Sequence, residues 1–251
     1  MYVESQRGPK MTTYLFPKED IVNRTMELGN VRSGSFCKSL SPEALSEFGA
    51  IASHSSCNAG SELYSEEEIP AKVFILLQGQ VKVSIGARNG RRLILRVAKP
   101  GEILGLSSAF SGNFYEETAQ AISPCNFISI RCAEFARFLV RHPTAFQAVM
   151  REFGVQYEQA CARLRVMGMA LTVPAKLARL LLEWTASAQE TEYGIRVHVS
   201  LTHGEIGECI GTCRESVTRI LGDMQRRQIV NLRGSILTVT NRSALEDCAG
   251  I

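Results

Sequence analysis

Arg214, Glu215, Thr218 and Arg219 lie within six consecutive residues. Together they offer two guanidinium forks, a carboxylate and a hydroxyl. Such groups hydrogen-bond and attract charge; they do not make a nucleophile with its base. Elsewhere no Ser/His/Asp, Cys/His or paired-carboxylate arrangement can be assembled, so no catalytic residue is named. The eight cysteines are Cys37, Cys57, Cys125, Cys132, Cys161, Cys209, Cys213 and Cys248, and none forms a Cys-x-x-Cys pair. Zinc needs four ligands, usually as two close pairs. Cys209 and Cys213 are separated by a predicted turn, and His54, His142, His198 and His203 add no second pair. No metal site is expected. Most of these thiols are expected to be small apolar residues in a reducing compartment.

The four polar residues are held by Leu201–Met224. Thr202, followed three residues later by Glu205, is a capping box that starts a helix carrying Ile206 and Ile210 on one face. Gly207 lies mid-helix, where glycine costs about 1 kcal/mol against alanine, and close approach of a second helix would account for it. Gly211 suits a left-handed helix end. Thr212 with Glu215 repeats the Thr-x-x-Glu signature, so a second helix is expected at once. Val217, Ile220, Leu221 and Met224 are its apolar stripe. Glu215, Thr218 and Arg219 point away from that stripe, with Arg214 at its edge. Two short helices on a glycine turn describe a helix-turn-helix, whose second helix enters a DNA major groove. A solvated face on an ordinary helical hairpin is the alternative.

The residues after Met224 favour the helix-turn-helix. Ile229–Leu232, Arg233-Gly234-Ser235 and Ile236–Val239 form a β-hairpin with glycine in its turn, the wing of a winged helix. Residues 171–251 hold nine Lys/Arg and nine Asp/Glu, yet from Cys213 to Arg242 six arginines face Glu215 and Asp223 alone. The positive charge is local to the proposed DNA face.

The chain has 251 residues, enough for two domains, with 45% hydrophobic and 21% charged residues and a net charge of +3. That charge is too small to name a nucleic-acid partner by itself. The longest clear apolar stretch, Val73–Leu77, is too short to span a membrane. Residues 1–35 carry charges and no apolar h-region, so a cytoplasmic protein is expected.

Residues 1–35 are polar and weakly patterned, expected as a loosely held arm. Ser41 caps a short helix with Pro42 at its first position and Leu45 and Phe48 inward. From about Ser56 to Ser129 the pattern is β. Val73–Leu77 is a buried strand, and Val81, Val83 and Ile85 alternate with Lys82 and Ser84. Asn89-Gly90 is a hairpin signal, and Leu93–Val97 is the return strand. Ile103–Phe110 includes a break at Gly105, and Thr118–Ile122 and Asn126–Ile130 complete the set. Turns every 8–12 residues mean an antiparallel barrel or roll. Cys132–Leu139 is a short helix, and His142-Pro143 opens a long one. Phe146, Met150, Phe153, Tyr157, Ala160, Leu164 and Met167 follow a heptad seam. Near Phe146 the seam can pack on its own roll; further along, a second copy is the expected partner. Gly168–Val173 is a linker. Pro174 starts a helix with Leu177, Leu180, Leu181 and Trp184 inward, then a polar loop over Glu190–Gly194 and a strand at Ile195–Val199. The domains are expected at 1–35, 36–141 (roll), 142–169 (dimerisation helix and hinge) and 170–251. The fold class is α+β.

In this order the elements resemble the bacterial Crp/Fnr family of transcription regulators. The likeness covers about residues 36–245 and is carried by VFILLQGQVKVSI (73–85), the Gly90 hairpin, PGEILGL (100–106) and LTHGEIGECIGTCRESVTRIL (201–221). The last is the most specific. The family's recognition-helix core Arg-Glu-(Ser/Thr)-Val-x-Arg is met by Arg214, Glu215, Ser216, Val217 and Arg219. The resemblance implies that Arg214, Glu215 and Arg219 read base edges, arginine presenting two donors to guanine O6 and N7. It implies a homodimer through Phe146, Met150, Phe153, Tyr157 and Leu164, on palindromic double-stranded DNA with TGTGA-like half-sites. RNA polymerase is an implied partner. Thr202, Thr212, Thr218 and Arg233 are expected on the DNA backbone, Thr212 because free N–H groups at a helix N-terminus attract phosphate and Arg233 as the charge of the wing.

The effector site departs from the cyclic-AMP receptor pattern. That pattern has Gly-Glu at the start of the phosphate cassette and Arg-Ser/Thr-Ala at its end. The glutamate holds the ribose and the arginine the cyclic phosphate. The corresponding residues are Leu106, Ser107, Tyr115, Glu116 and Thr118. Leu106 accepts no hydroxyl, no arginine stands near Tyr115, and Glu116 and Glu117 are negative where phosphate would sit. Charges of like sign at about 4 Å cost on the order of 1–4 kcal/mol. The effector is therefore expected not to be cyclic AMP, and the cofactor stays unknown. The Fnr branch holds an iron–sulfur cluster on four thiolates. Cys125 matches its roll cysteine, but only Cys37 stands where the close N-terminal group belongs. Haem has His54 or His142 as available ligands, with no local signature around either. A roll that senses a ligand or redox change and signals to a protein partner is the alternative function.

Overall fold

A computed structural model describes residues 36–168, 172–186, 188 and 194–251, with the backbone alone at 12–14 and 190–191. Most of the expected arm, the centre of the linker and part of the polar loop lie outside the described residues. The described residues divide into two compact units cut after Gln159, with Arg91–Ile94 grouped with the second.

In the first unit β1 (Thr12–Tyr14) lies within the expected loose arm and pairs antiparallel with β2 (Ser53–Cys57). A 3-10 turn, Phe36–Ser39, leads to α1 (Pro42–Ile51), whose Ser41 hydroxyl accepts from the Ala44 amide. The next strands are β3 (Glu62–Tyr64), β4 (Lys72–Gln78), β5 (Val81–Gly86), β6 (Arg92–Ala98) and β7 (Ile103–Leu104). Then come α2 (Leu106–Ser111), β8 (Thr118–Ala121) and β9 (Cys125–Arg131). They form a five-stranded sheet, β1-β2-β9-β4-β7, and a four-stranded one, β3-β8-β5-β6. β9 pairs antiparallel with β2 and β4, β4 with β7, and β8 with β3 and β5, the roll expected from the turn spacing. The Val81–Ile85 alternation breaks: Ser84 is buried and Ile85 half-buried.

Two apolar clusters fill the roll. One gathers Phe36, Phe48, Phe135 and Phe138 with Val73, Ile75, Leu106, Ile128 and Val149. Its rings meet edge to face, at centroid distances of 5.5 Å for Phe36–Phe48 and for Phe48–Phe138, a preferred aromatic geometry. The other holds Cys57, Tyr64, Phe74, Leu76, Tyr115, Cys125 and Phe127. α3 (Cys132–Arg141) brings Phe135 and Phe138 to the first cluster, and α4 (Pro143–Gly168) comes directly after it.

In the second unit, α5 (Val173–Thr185) is capped by Thr172 and buries Leu177, Leu180 and Leu181. Trp184, expected inward, is half-buried. Thr185 takes that turn's buried position, its hydroxyl donating to Leu181 O at 2.9 Å. β10 (Glu190–Thr191) occupies what the sequence marks as polar loop. It opens the sheet β10-β11-β13-β12, with β11 at Gly194–His198, β12 at Val230–Arg233 and β13 at Ile236–Val239. α8 (Arg242–Ala249), capped by Asn241, packs against α5 near the end of the chain.

Candidate nucleic-acid interface

α6 (His203–Ile210) starts on the expected capping box. The Thr202 hydroxyl accepts from the Glu205 amide at 3.2 Å, and Glu205 Oε2 accepts from the Thr202 amide at 2.9 Å. Gly211, at φ 70°, ends it in the left-handed region. A Cβ on Gly207 would stand 2.6 Å from Thr212 O, so the turn backbone lies against the helix there. The close approach expected at Gly207 is made by the turn.

The second helix, α7 (Arg214–Arg226), does not start as expected. Cys213 is its N-cap and makes no side-chain cap bond, while Thr212 closes the first helix by donating its amide to Gly207 O at 2.9 Å. Committed to that turn, Thr212 stands one residue too early to cap α7. The helix also runs two residues past Met224. Val217, Ile220, Leu221 and Met224 are buried, whereas Arg214, Glu215, Thr218 and Arg219 are exposed. Amphipathic spacing alone produces this partition. The Glu215 carboxylate is held below its usual range, first by its own backbone amide at the helix start and then by the Cys213 thiol. It is thus ionised and an acceptor. Thr218 Oγ1 donates to Arg214 O at 3.0 Å and lies 2.8 Å from His203 Nδ1, tying α7 to the first turn of α6. Sequence spacing alone does not single out His203.

β12 and β13 pair from Val230↔Val239 to Arg233↔Ile236, leaving Gly234-Ser235 as the loop, with Arg233 exposed at its base. The wing therefore starts one residue later than expected. Arg226 and Arg227, by contrast, are engaged with Asp223 at 3.2 and 3.9 Å.

Gly207→Ala should lower the thermal midpoint of this unit. Helix propensity favours alanine by about 1 kcal/mol, but forcing a methyl against backbone costs about 1–3 kcal/mol. Gly222, on α7, has only Arg226 Nη1 at 4.0 Å, so Gly222→Ala should raise the midpoint. Thermal unfolding measured by circular dichroism compares the two; a rise for Gly207→Ala would contradict the close approach.

The residues corresponding to an effector site are divided between the two clusters. Leu106 is 2% exposed in the first and Tyr115 4% exposed in the second. Tyr115 stacks on Tyr64 at 4.1 Å and donates its hydroxyl to Lys72 O at 2.5 Å. Burial pushes the Tyr115 phenol up to about 12. Ser107 Oγ donates to Glu116 Oε2 at 3.1 Å, Tyr64 OH to Glu117 Oε1 at 2.9 Å, and Thr118 Oγ1 accepts from the Glu66 amide at 3.0 Å. Among the described residues, no group of three or more His, Cys, Asp or Glu is placed to hold a metal ion.

Along α4, Phe146 and Met150 are each 43% exposed, and Tyr157 and Leu164 each 67%. Phe153 departs from this stripe: it packs against the first core cluster of its own roll. A heptad seam fixes which side a residue takes only to within the width of a helix face, and the roll claims this one.

Residues 55–142 match the family profile of the cyclic nucleotide-binding domain, and residues 175–248 that of the Crp-like helix-turn-helix domain. Over 202 residues the chain is 25% identical to the nitrogen fixation regulation protein FixK of Bradyrhizobium diazoefficiens, covering 78% of this chain and 81% of that one. Over 203 residues it is 26% identical to the transcriptional activatory protein AadR of Rhodopseudomonas palustris, covering 80% and 82%. The solved structure of FixK2 from Bradyrhizobium japonicum superposes with a TM-score of 0.69 at 21% identity, over 79% of this chain and 97% of that one. A cyclic-nucleotide-binding-type roll together with a Crp-like winged helix-turn-helix defines a DNA-binding transcription regulator, not an enzyme. The chain belongs to the Crp/Fnr family. Among the described residues no helix is long and apolar enough to cross a membrane.

Proposed function

We propose that the protein acts in the cytoplasm as a homodimer that places α7 of each copy in successive major grooves of a palindrome. One observation carries this: Arg214, Glu215, Thr218 and Arg219 share the exposed face of a helix whose other face is fully committed to the core. Arg214 and Arg219 donate to guanine edges, and the ionised Glu215 accepts from a cytosine amine. Arg233 and the Thr212 side chain meet phosphates on either side and set the register. The Thr202 and Thr218 hydroxyls, which in the single chain donate to Glu205 Oε2 and Arg214 O, turn to join them. Two copies join through the exposed Phe146, Met150, Tyr157 and Leu164, and half-site centres then fall about one helical turn apart. In this arrangement the roll extends to 141, the dimerisation helix and hinge cover 142–169, and the DNA-binding domain starts at 170. TGTGA-like half-sites and contact with RNA polymerase are what family membership suggests. A gel-shift assay tests the function: a duplex with inverted TGTGA copies should be retarded at a salt concentration where a scrambled duplex is not.

The effector is not cyclic AMP. A ribose hydroxyl finds buried Leu106, and a cyclic phosphate finds Glu116 and Glu117 with no arginine from 105 to 119. Titration calorimetry at millimolar cyclic AMP should show no saturable heat. A sub-micromolar dissociation constant would require a site built from other residues.

A further inference from the structure

Cys57 and Cys125 are far apart in sequence, yet they face each other directly as Cα partners across β2 and β9. Directly opposed residues of an antiparallel pair point to one face with Cα atoms about 4.5 or 5.5 Å apart. Either spacing lies inside the range of about 4.4–6.8 Å that a disulfide spans. Both thiols are free. We propose that Cys57 and Cys125 are a redox-active dithiol at which a peroxide closes a disulfide between β2 and β9.

The rung is the last of its ladder. Exposed Asn58, Ala59 and Gly60 come directly after Cys57, and exposed Pro124 directly before Cys125. A small oxidant therefore has a short route from solvent to sulfurs that are otherwise buried. Each thiol acts on the other, which lowers Cys125 to about 7 and raises Cys57. As a thiol Cys125 donates to Ser123 O at 3.1 Å and Gln80 O at 3.4 Å, and near neutral pH a share of it is the thiolate, the reactive species.

The step balances with hydrogen peroxide as oxidant. The Cys125 thiolate attacks one peroxide oxygen, the O–O bond breaks, and the departing hydroxide takes a proton to become water. The Cys57 sulfur then attacks the resulting sulfenic acid. The S–S bond forms, the S–O bond breaks, and the hydroxyl leaves as water with the Cys57 proton. Two thiols lose two electrons and two hydrogens, and one peroxide becomes two waters. Three of the other thiols stand in different surroundings. Burial pushes Cys209 up to about 12 and raises Cys132, and Cys213 is exposed beside Ser216.

The β4–β5 turn is seated on this sulfur. A Cβ on Gly79 would stand 2.5 Å from Cys125 Sγ, and Gln80 O lies 3.4 Å from the same atom. Closing the disulfide draws Cys125 Sγ toward Cys57 and changes its contact with this turn, so the β4–β5 turn is the element of the roll placed to respond.

Peptide mapping without reductant tests the site on the full-length native protein treated with hydrogen peroxide. The expected main product is a Cys57–Cys125 linked peptide lighter by two hydrogens, released by dithiothreitol and absent from Cys57→Ser and Cys125→Ser. Because the wild type supplies the principal result, misfolding of a variant leaves the test intact. Linkage only after denaturation, sulfinic acid at either cysteine without a link, or a main product joining other cysteines would overturn the proposal.

Discussion

Tyr157→Glu is expected to turn a dimer into a monomer that still folds. Tyr157 is 67% exposed in the single chain, so replacing its ring uncovers little of the core. In the proposed dimer the same position meets the second copy, and an unpaired carboxylate in a dry interface costs several kcal/mol. The consequence for DNA is larger. A dimer makes its second half-site contact intramolecularly, a gain on the order of 10²–10⁴ in affinity that a monomer forfeits. Sedimentation at micromolar concentration should show a wild-type dimer and a Tyr157→Glu monomer with nearly equal thermal midpoints. Phe153→Glu would not separate the two effects, because Phe153 also packs on the roll. A wild-type monomer, or a variant that stays dimeric, would remove α4 as the interface.

The second large effect is expected from Arg219→Ala. Arg219 is exposed on α7 and adds nothing to the core, whose contacts come from Val217, Ile220 and Leu221. Loss of a bidentate guanine contact costs roughly 1–3 kcal/mol. The proposed dimer would make the contact twice, so the penalty would apply in each half-site. Fluorescence anisotropy titrations should show the loss on the TGTGA palindrome and almost none on a duplex whose contacted guanine is already replaced. An equal loss on both duplexes would make Arg219 a phosphate contact instead.

The helix-turn-helix is legible in the sequence because its signals are local and steric. A capping box, a left-handed glycine and a glycine against backbone each depend on residues a few positions apart. The start of α7 is not, because Thr-x-x-Glu occurs at Thr212 as well, and only the structure shows that Thr212 closes the preceding turn. β2 is largely hidden because Ser53, His54, Ser55 and Ser56 look like loop. Ser55 is buried and pairs its hydroxyl across the sheet with Ser129 Oγ at 3.3 Å. β1 and α8 carry too little apolar periodicity to be seen. The heptad seam marks the helix but not the fate of Phe153, which depends on the roll beneath it. The Cys57–Cys125 rung is invisible because register, not spacing, brings the two together.

Selection of binding sites from a random-sequence duplex pool tests the central claim most directly. The full-length wild type should enrich an inverted repeat of TGTGA-like half-sites with centres about one helical turn apart, and Arg219→Ala should relax the preference at one guanine in each half. Enrichment of no palindrome by the wild type, or an unchanged base preference in Arg219→Ala, would contradict the assignment of α7 as the helix that reads the sequence.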